Sequence, residues 1–174
     1  MQFVFVKSGL TLLNENHQIQ GSYDLPLSEK GKELVFQYSN RLEPYQPTFI
    51  VTSMQRRSRE TAEILINRNG WQEVEWFRDS RFNDRHFGFW EGKKVDDFLE
   101  FSKESIIQHI PGGEYHLNFL ERIHKAMWSI QEKVIREHSV IVMVLDERVI
   151  KEILNFLNND SSNGLNDHIV EFFY

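Results

Sequence analysis

Three short segments carry groups able to do chemistry, each at the end of an apolar run: Lys7-Ser8-Gly9, Thr52 to Arg57, and Leu145-Asp146-Glu147. Lys7 and Arg57 are cations suited to an anionic ligand, and Ser8 supplies a hydroxyl. A serine nucleophile needs a general base, and no histidine adjoins Ser8 in the sequence. Asp146 has two readings, an N-cap ahead of Glu147 and Val149 or a carboxylate nucleophile, and its position favours the cap. The histidines (His17, His86, His109, His116, His124, His138 and His168) show no metal-ligand spacing such as His-x-x-x-His, so most read as surface residues. With no cysteine in the chain, disulfides, thiolate zinc sites and a cysteine nucleophile are excluded.

The elements that must position these groups alternate between strand and helix, which predicts an α/β layered fold. Phe3 to Val6 reads as a buried strand ending at Lys7. Thr48 to Thr52 and Val140 to Leu145 read as two more, the last giving the strongest signal. Glu73 to Phe77 alternates weakly as a shorter strand, and Ile169 to Phe173 as an edge strand. Ser28 is placed to cap a helix whose face carries Leu34, Tyr38 and Leu42. A second helix with Ala62 and Leu65 inside ends at Gly70. Leu120, Ile123, Met127, Ile130 and Val134 mark a long amphipathic helix. Another runs through Val149, Ile150, Ile153, Leu154 and Leu157, before a turn at Asn158-Asn159-Asp160. Residues from about 79 to 116 are irregular and rich in Phe and Trp, as in an insertion or lid over one end of the sheet. In open sheets of this kind ligands bind beyond the carboxyl ends of the strands, where the three segments fall.

A length of 174 residues suits one domain, 1–174, with a single core. Its 14 Phe and 4 Trp exclude a disordered chain, and a formal charge of -6 argues against a nucleic-acid partner. The apolar run at the amino terminus is too short for a secretory signal, and no stretch has the length of a membrane span. These features predict a cytoplasmic protein without a membrane partner.

Taken together, the loops resemble the histidine phosphatase superfamily, the phosphoglycerate mutase-like phosphatases. Lys7-Ser8-Gly9 stands where the family has Arg-His-Gly, followed at matching spacing by Asn14, Ile19-Gln20-Gly21, Asp24 and Pro26-Leu27-Ser28-Glu29-Lys30-Gly31. A second landmark is Thr52-Ser53-Met54-Gln55-Arg56-Arg57-Ser58-Arg59-Glu60-Thr61-Ala62, a third Phe87-Gly88-Phe89-Trp90-Glu91-Gly92, and a fourth Pro111-Gly112-Gly113-Glu114. The resemblance implies a three-layer αβα sandwich with a mostly parallel sheet, no cofactor, and a phosphate pocket formed by these loops.

The resemblance also assigns roles, and several residue types depart from them. The family's phosphorylated histidine falls on Ser8, its neighbouring arginine on Lys7, its second phosphate-binding arginine on Arg57, its general acid on Asp84, and its second histidine on Asp146. The family reaction needs an imidazole to attack phosphorus and cations to hold the phosphoryl oxygens. Lys7 keeps its charge without the planar fork of arginine. Replacing an imidazole by the Asp146 carboxylate reverses the local charge. Against a phosphoryl group ~4 Å away, each charge pair is worth about 4 kcal/mol at an effective dielectric of ~20 before screening. Asp146 is expected to pair with Lys7 or Arg57 and to fill the phosphate position from inside.

The resulting expectation is a protein without phosphohistidine-based phosphatase or mutase activity, binding a small phosphorylated or anionic ligand or a protein partner. Lys7, Asn14, Gln20 and Arg57 are the candidate ligand-binding residues. The alternative is a residual phosphatase with altered chemistry using Ser8, Asp146 or His86, the last two residues from Asp84 and so a candidate for the pocket.

Overall fold

The computed structural model describes residues 1–104, 110–134, 139–157 and 169–173. His109, His138, His168 and the turn expected at Asn158-Asn159-Asp160 lie outside them. The elements are β1 (Gln2–Lys7), α1 (Leu12–Glu15), α2 (Glu29–Ser39), β2 (Phe49–Thr52), α3 (Arg56–Asn69), β3 (Glu75–Arg78), α4 (Val95–Glu104), α5 (His116–Lys133), β4 (Val140–Leu145), α6 (Glu147–Phe156) and β5 (Ile169–Phe173). Short 3-10 turns interrupt the loops at Asn40–Leu42, Ser80–Phe82 and Gly88–Trp90.

The strands form one sheet in the order β3-β2-β4-β1-β5. β1 pairs in parallel with β4, β4 with β2 and β2 with β3, while β5 runs antiparallel along the other edge of β1. The sheet is thus a mostly parallel α/β sheet, as expected from the alternation of elements. β1 and β4 are continuously apolar because both of their faces are covered. Phe3, Phe5, Ile141, Met143 and Leu145 meet α5 and α6 through Phe119, Ile123, Met127, Ile150 and Ile153. The alternate residues Val4, Val6, Val142 and Val144 meet α2 and α3 through Val35, Tyr38, Ala62 and Leu65. The period of two along each strand therefore divides the core between two helical layers.

Local signals account for most boundaries. Ser28 Oγ accepts from the Gly31 amide at 3.0 Å and starts α2. Gly70, at φ 71°, closes α3 in the left-handed conformation. Differences lie in which side chains face inward and where elements stop. The buried face of α2 is Gly31, Val35 and Tyr38, with Leu34 only half-buried and Leu42 in the following 3-10 turn. Phe119 replaces Leu120 on the buried stripe of α5. β3 begins two residues later than its alternation suggests, at Glu75. The 79–116 segment contains the regular helix α4, and Phe87, Ile19 and Ile110 form a small separate core beneath Trp90, Val95 and Phe98. Among the described residues no helix is long and apolar enough to cross a membrane.

Close approach at Gly31 fixes the entry of α2. A Cβ there would fall inside contact distance of the Leu10 carbonyl oxygen and 2.9 Å from its carbon. Alanine in a helix interior ordinarily gains about 1 kcal/mol over glycine, but forced overpacking costs about 1–3 kcal/mol. Because the obstacle is backbone, Gly31→Ala is expected to lower the urea midpoint rather than raise it.

Candidate functional site

The register of β1 against β4 pairs Lys7 with Leu145, so the next residue of each strand enters the same cleft. The Ser8 amide donates to the Leu145 carbonyl at 2.9 Å, and the two side chains meet: Ser8 Oγ donates to Asp146 Oδ1 at 3.0 Å. Asp146 occupies the N-cap position of α6 by its backbone, yet its side chain makes no cap bond. The carboxylate turns instead to Arg57, whose Nε donates to Oδ1 at 2.6 Å. Among the described residues Asp146 Oδ2 is buried with no hydrogen-bond partner.

Arg57 lies in the first turn of α3 with 2% of its surface exposed. Every N–H of its guanidinium is engaged. Besides the bond from Nε, Nη1 donates to the Tyr23 carbonyl at 2.9 Å, and Nη2 to the Gly21 carbonyl at 3.0 Å and to Gln55 Oε1 at 3.1 Å. The Gln20 amide, oriented so that its nitrogen donates to Thr11 Oγ1, turns its oxygen toward Nη1. Burial by itself would lower the guanidinium pKa, but the carboxylates of Asp146, Asp84 and Asp24 outweigh it and hold it above the ordinary value. The rest of the second landmark is structural: the Gly9 amide donates to Thr61 Oγ1 at 2.9 Å and the Leu27 amide to Glu60 Oε2 at 2.8 Å. These bonds lock α3 to the loops after β1 and before α2.

Asp84 stands on the other side of the cleft, with its side chain 10% exposed. Its Oδ2 is 3.5 Å from Arg148 Nη1 and 4.0 Å from Arg57 Nη2, and Oδ1 accepts from the Arg85 amide at 2.8 Å. Burial pushes the carboxyl up to about 6, opposed by Arg148 and Arg57 and reinforced by the negative charge of Asp146. Gln55 ties the two halves together: its Oε1 accepts from both Arg57 and the Asp84 amide, and its Nε2 donates to the Gly21 carbonyl at 3.0 Å.

The candidate residues divide accordingly. Ser8, Arg57, Asp84, Asp146 and Gln20 converge, and Arg57 is the cation that Asp146 meets. Lys7 Nζ is 3.5 Å from Glu147 Oε2 on α6. Asn14 lines the cleft, and its Oδ1 accepts from the Thr11 amide at 3.0 Å and closes the start of α1. His86 does not project into the cleft as the sequence suggested. Its Nε2 lies 3.6 Å from Glu91 Oε2, a carboxylate held by Ser22 Oγ at 2.9 Å, and this draws the imidazole away from the residues lining the cavity. No histidine among the described residues lines that cavity. Nor does any cluster of three or more His, Asp or Glu side chains among them have a metal-binding arrangement.

The cavity beside Arg57 and Asp146 has a volume of about 230 Å³. One wall is polar, and the other is formed by Ile19, Phe87, Val95 and Phe98. Two residues of the site carried no sequence signal for their role. Gln55 is one, since nothing in its spacing marks a hub. Arg148 is the other, half-exposed, with its guanidinium 4.2 Å over the Phe87 ring.

The raised Asp84 carboxyl makes stability depend on pH. The folded protein keeps this proton to higher pH than the unfolded chain, so between about pH 4 and 6 the native state binds more protons and loses stability as pH rises. A shift of this size corresponds to roughly 3 kcal/mol. Urea titrations are expected to show the unfolding free energy of Asp84→Asn, relative to the unsubstituted protein, increasing across this window. A pH-independent difference would contradict the assignment.

A profile of the histidine phosphatase superfamily (branch 1) matches residues 3–170. The probable phosphoglycerate mutase GpmB of Escherichia fergusonii is 31% identical over 140 residues, covering 76% of this chain and 64% of that protein. This chain therefore spans less than two thirds of the length of that relative. YhfR of Bacillus stearothermophilus superimposes with a TM-score of 0.76 at 27% identity, covering 91% of this chain and 80% of that one. The phosphoglycerate mutase of Bacillus anthracis str. Sterne shares the fold, with a TM-score of 0.81 at 23% identity over 93% of this chain and 81% of its own. Landmarks in family order, a site at the carboxyl ends of β1 and β4, and a profile match over nearly the whole length agree: the chain belongs to the histidine phosphatase superfamily.

Proposed function

We propose that this protein is a ligand-binding member of the superfamily that does not carry out phosphohistidine chemistry. The observation that carries the reading is the buried Arg57–Asp146 pair at 2.6 Å, with Ser8 bonded to the same carboxylate oxygen. A phosphoryl group approaching Arg57 meets a guanidinium with no N–H left to donate and a carboxylate already seated against it. Ser8 offers no imidazole nitrogen to attack phosphorus. The cavity alongside, polar at one end and aromatic at the other, is suited to a small ligand.

A second reading is favoured by one contact. The 3.0 Å bond from Ser8 Oγ to Asp146 is of the length expected between a hydroxyl nucleophile and its base, and burial pushes Asp84 up to about 6, in the direction a general acid requires. Against this reading, the accepting oxygen is shared with Arg57.

Assays with an aryl phosphate and with phosphorylated metabolites separate the readings. The binding reading expects no turnover and no phosphoenzyme. Turnover lost in both Arg57→Ala and Ser8→Ala would overturn it in favour of the second.

The seated carboxylate can also be tested without turnover. Asp146→Ala removes the nearest carboxylate from a buried guanidinium, with Asp84 left at 4.0 Å, a loss of up to about 3–5 kcal/mol, and opens its Nε to an external anion. Inorganic phosphate is expected to raise the melting temperature of Asp146→Ala while leaving the unsubstituted protein nearly unmoved. Equal stabilisation of both would mean that Asp146 does not block the anion position.

A further inference from the structure

A second cavity, of about 360 Å³, adjoins the first and is lined by Arg85, Phe87, Phe98, His116, Arg148 and Glu152. Two guanidinium groups share one aromatic ring there. Arg148 lies 4.2 Å from the Phe87 centroid and Arg85 lies 5.8 Å from it. Arg85 is 5% exposed, and its Nε and Nη2 both donate to the Glu114 carbonyl, at 3.0 and 2.9 Å. That oxygen is neutral, and the Glu114 carboxylate is itself held by Arg122 at 2.7 Å. Arg148 has the Asp84 carboxylate at 3.5 Å. Two like charges are therefore brought together against an apolar surface, and each disfavours the other. The guanidinium pKa of Arg85 is lowered first by burial and then by Arg148, with Glu114, Asp84 and Glu152 only partly compensating.

Such an arrangement is costly when empty and is relieved by an anion that both groups can reach. We propose that Arg148 and Arg85 form a subsite for a singly charged carboxylate whose apolar body lies against Phe87 and Phe98. The charge follows from the surroundings: two guanidinium groups face the Glu152 carboxylate across the cavity, and Asp84 stands 3.5 Å from Arg148, so the positive excess is small and suits a monoanion better than a phosphate dianion. The apolar body follows from the aromatic wall, where Phe87 and Phe98 pack edge to face at 5.4 Å and Phe98 meets Trp90 at 5.5 Å. The planar fork of arginine matches a carboxylate in two-point geometry. This inference deepens the binding reading above and rests on it, since it names the class of ligand that the pocket takes.

Benzoate is the probe, titrated by calorimetry and by the shift in melting temperature. Saturable binding is expected, stronger than that of acetate and not displaced by equimolar inorganic phosphate. Arg148→Gln, at a half-exposed position, is expected to weaken benzoate about tenfold or more, and Glu152→Gln to strengthen it. Arg85→Lys, which keeps the charge and loses the fork, is expected to weaken it as well. Absence of saturable benzoate binding, or equal affinity in the Arg148→Gln protein, overturns the subsite. So does displacement by phosphate as effective as by benzoate itself. The two proposals fail separately: phosphate-ester turnover would overturn the binding reading while leaving the benzoate result standing, whereas absent benzoate binding in a protein without turnover overturns the subsite alone.

Discussion

A guanidinium taken out of water must be answered at every N–H, because an unpaired charge in the interior costs several kcal/mol. Arg57 is answered by a carboxylate from the start of α6, by two backbone carbonyls from the loop after α1, and by two side-chain amides. That constraint shapes the rest of the cleft. The loop at Gly21 and Tyr23 must present its carbonyls inward, Gln55 must lie between Arg57 and Asp84, and Asp146 must forgo its cap bond. The negative charge that this cation requires comes from the chain itself, so the centre of the site is electrostatically complete without a bound anion.

Around that closed centre the remaining polar groups are less fully satisfied. Asp84 is held between two arginines and an acidic neighbour, and its burial leaves it close to titration at neutral pH. Arg148 joins the cavity beside Asp146 to the one beside Arg85. Positive charge in this cleft is thus found away from the strand ends, over the aromatic ring of Phe87. Transfer chemistry needs the reacting group and its electrostatic support at one point, and the proposed binding function rests on their separation in this layout.

Much of this organisation was legible in the sequence. The continuous apolar runs of β1 and β4 named the central strands, Ser28 and Gly70 marked helix ends by local chemistry, and the order of landmarks placed Ser8, Arg57, Asp84 and Asp146 in one cleft. Side-chain orientation within helices was less legible: Leu34 and Val35, or Phe119 and Leu120, are equally apolar neighbours, and only the packing of each helix against the sheet decides between them. Pairing choices were not legible either. Lys7 and Arg57 were equivalent partners for Asp146 until the register placed Lys7 beside Glu147. The proximity of His86 to Asp84 in sequence was misleading because the intervening loop directs the imidazole to Glu91. Gln55 and Arg148 act through contacts made by distant loops, for which periodicity holds no signal.

The placement of β1 also bears on how the molecule assembles. Its two sheet neighbours are β4 and β5, and the contact between Ser8 and Asp146 spans 138 positions of chain. During synthesis β1 therefore has no sheet neighbour to join until β4, more than a hundred positions later, has followed. Closing so long a loop is entropically unfavourable and slows the search. Until then Phe3 to Val6 lack their neighbours in the sheet, and the cleft, which needs the ends of both β1 and β4, cannot be completed earlier.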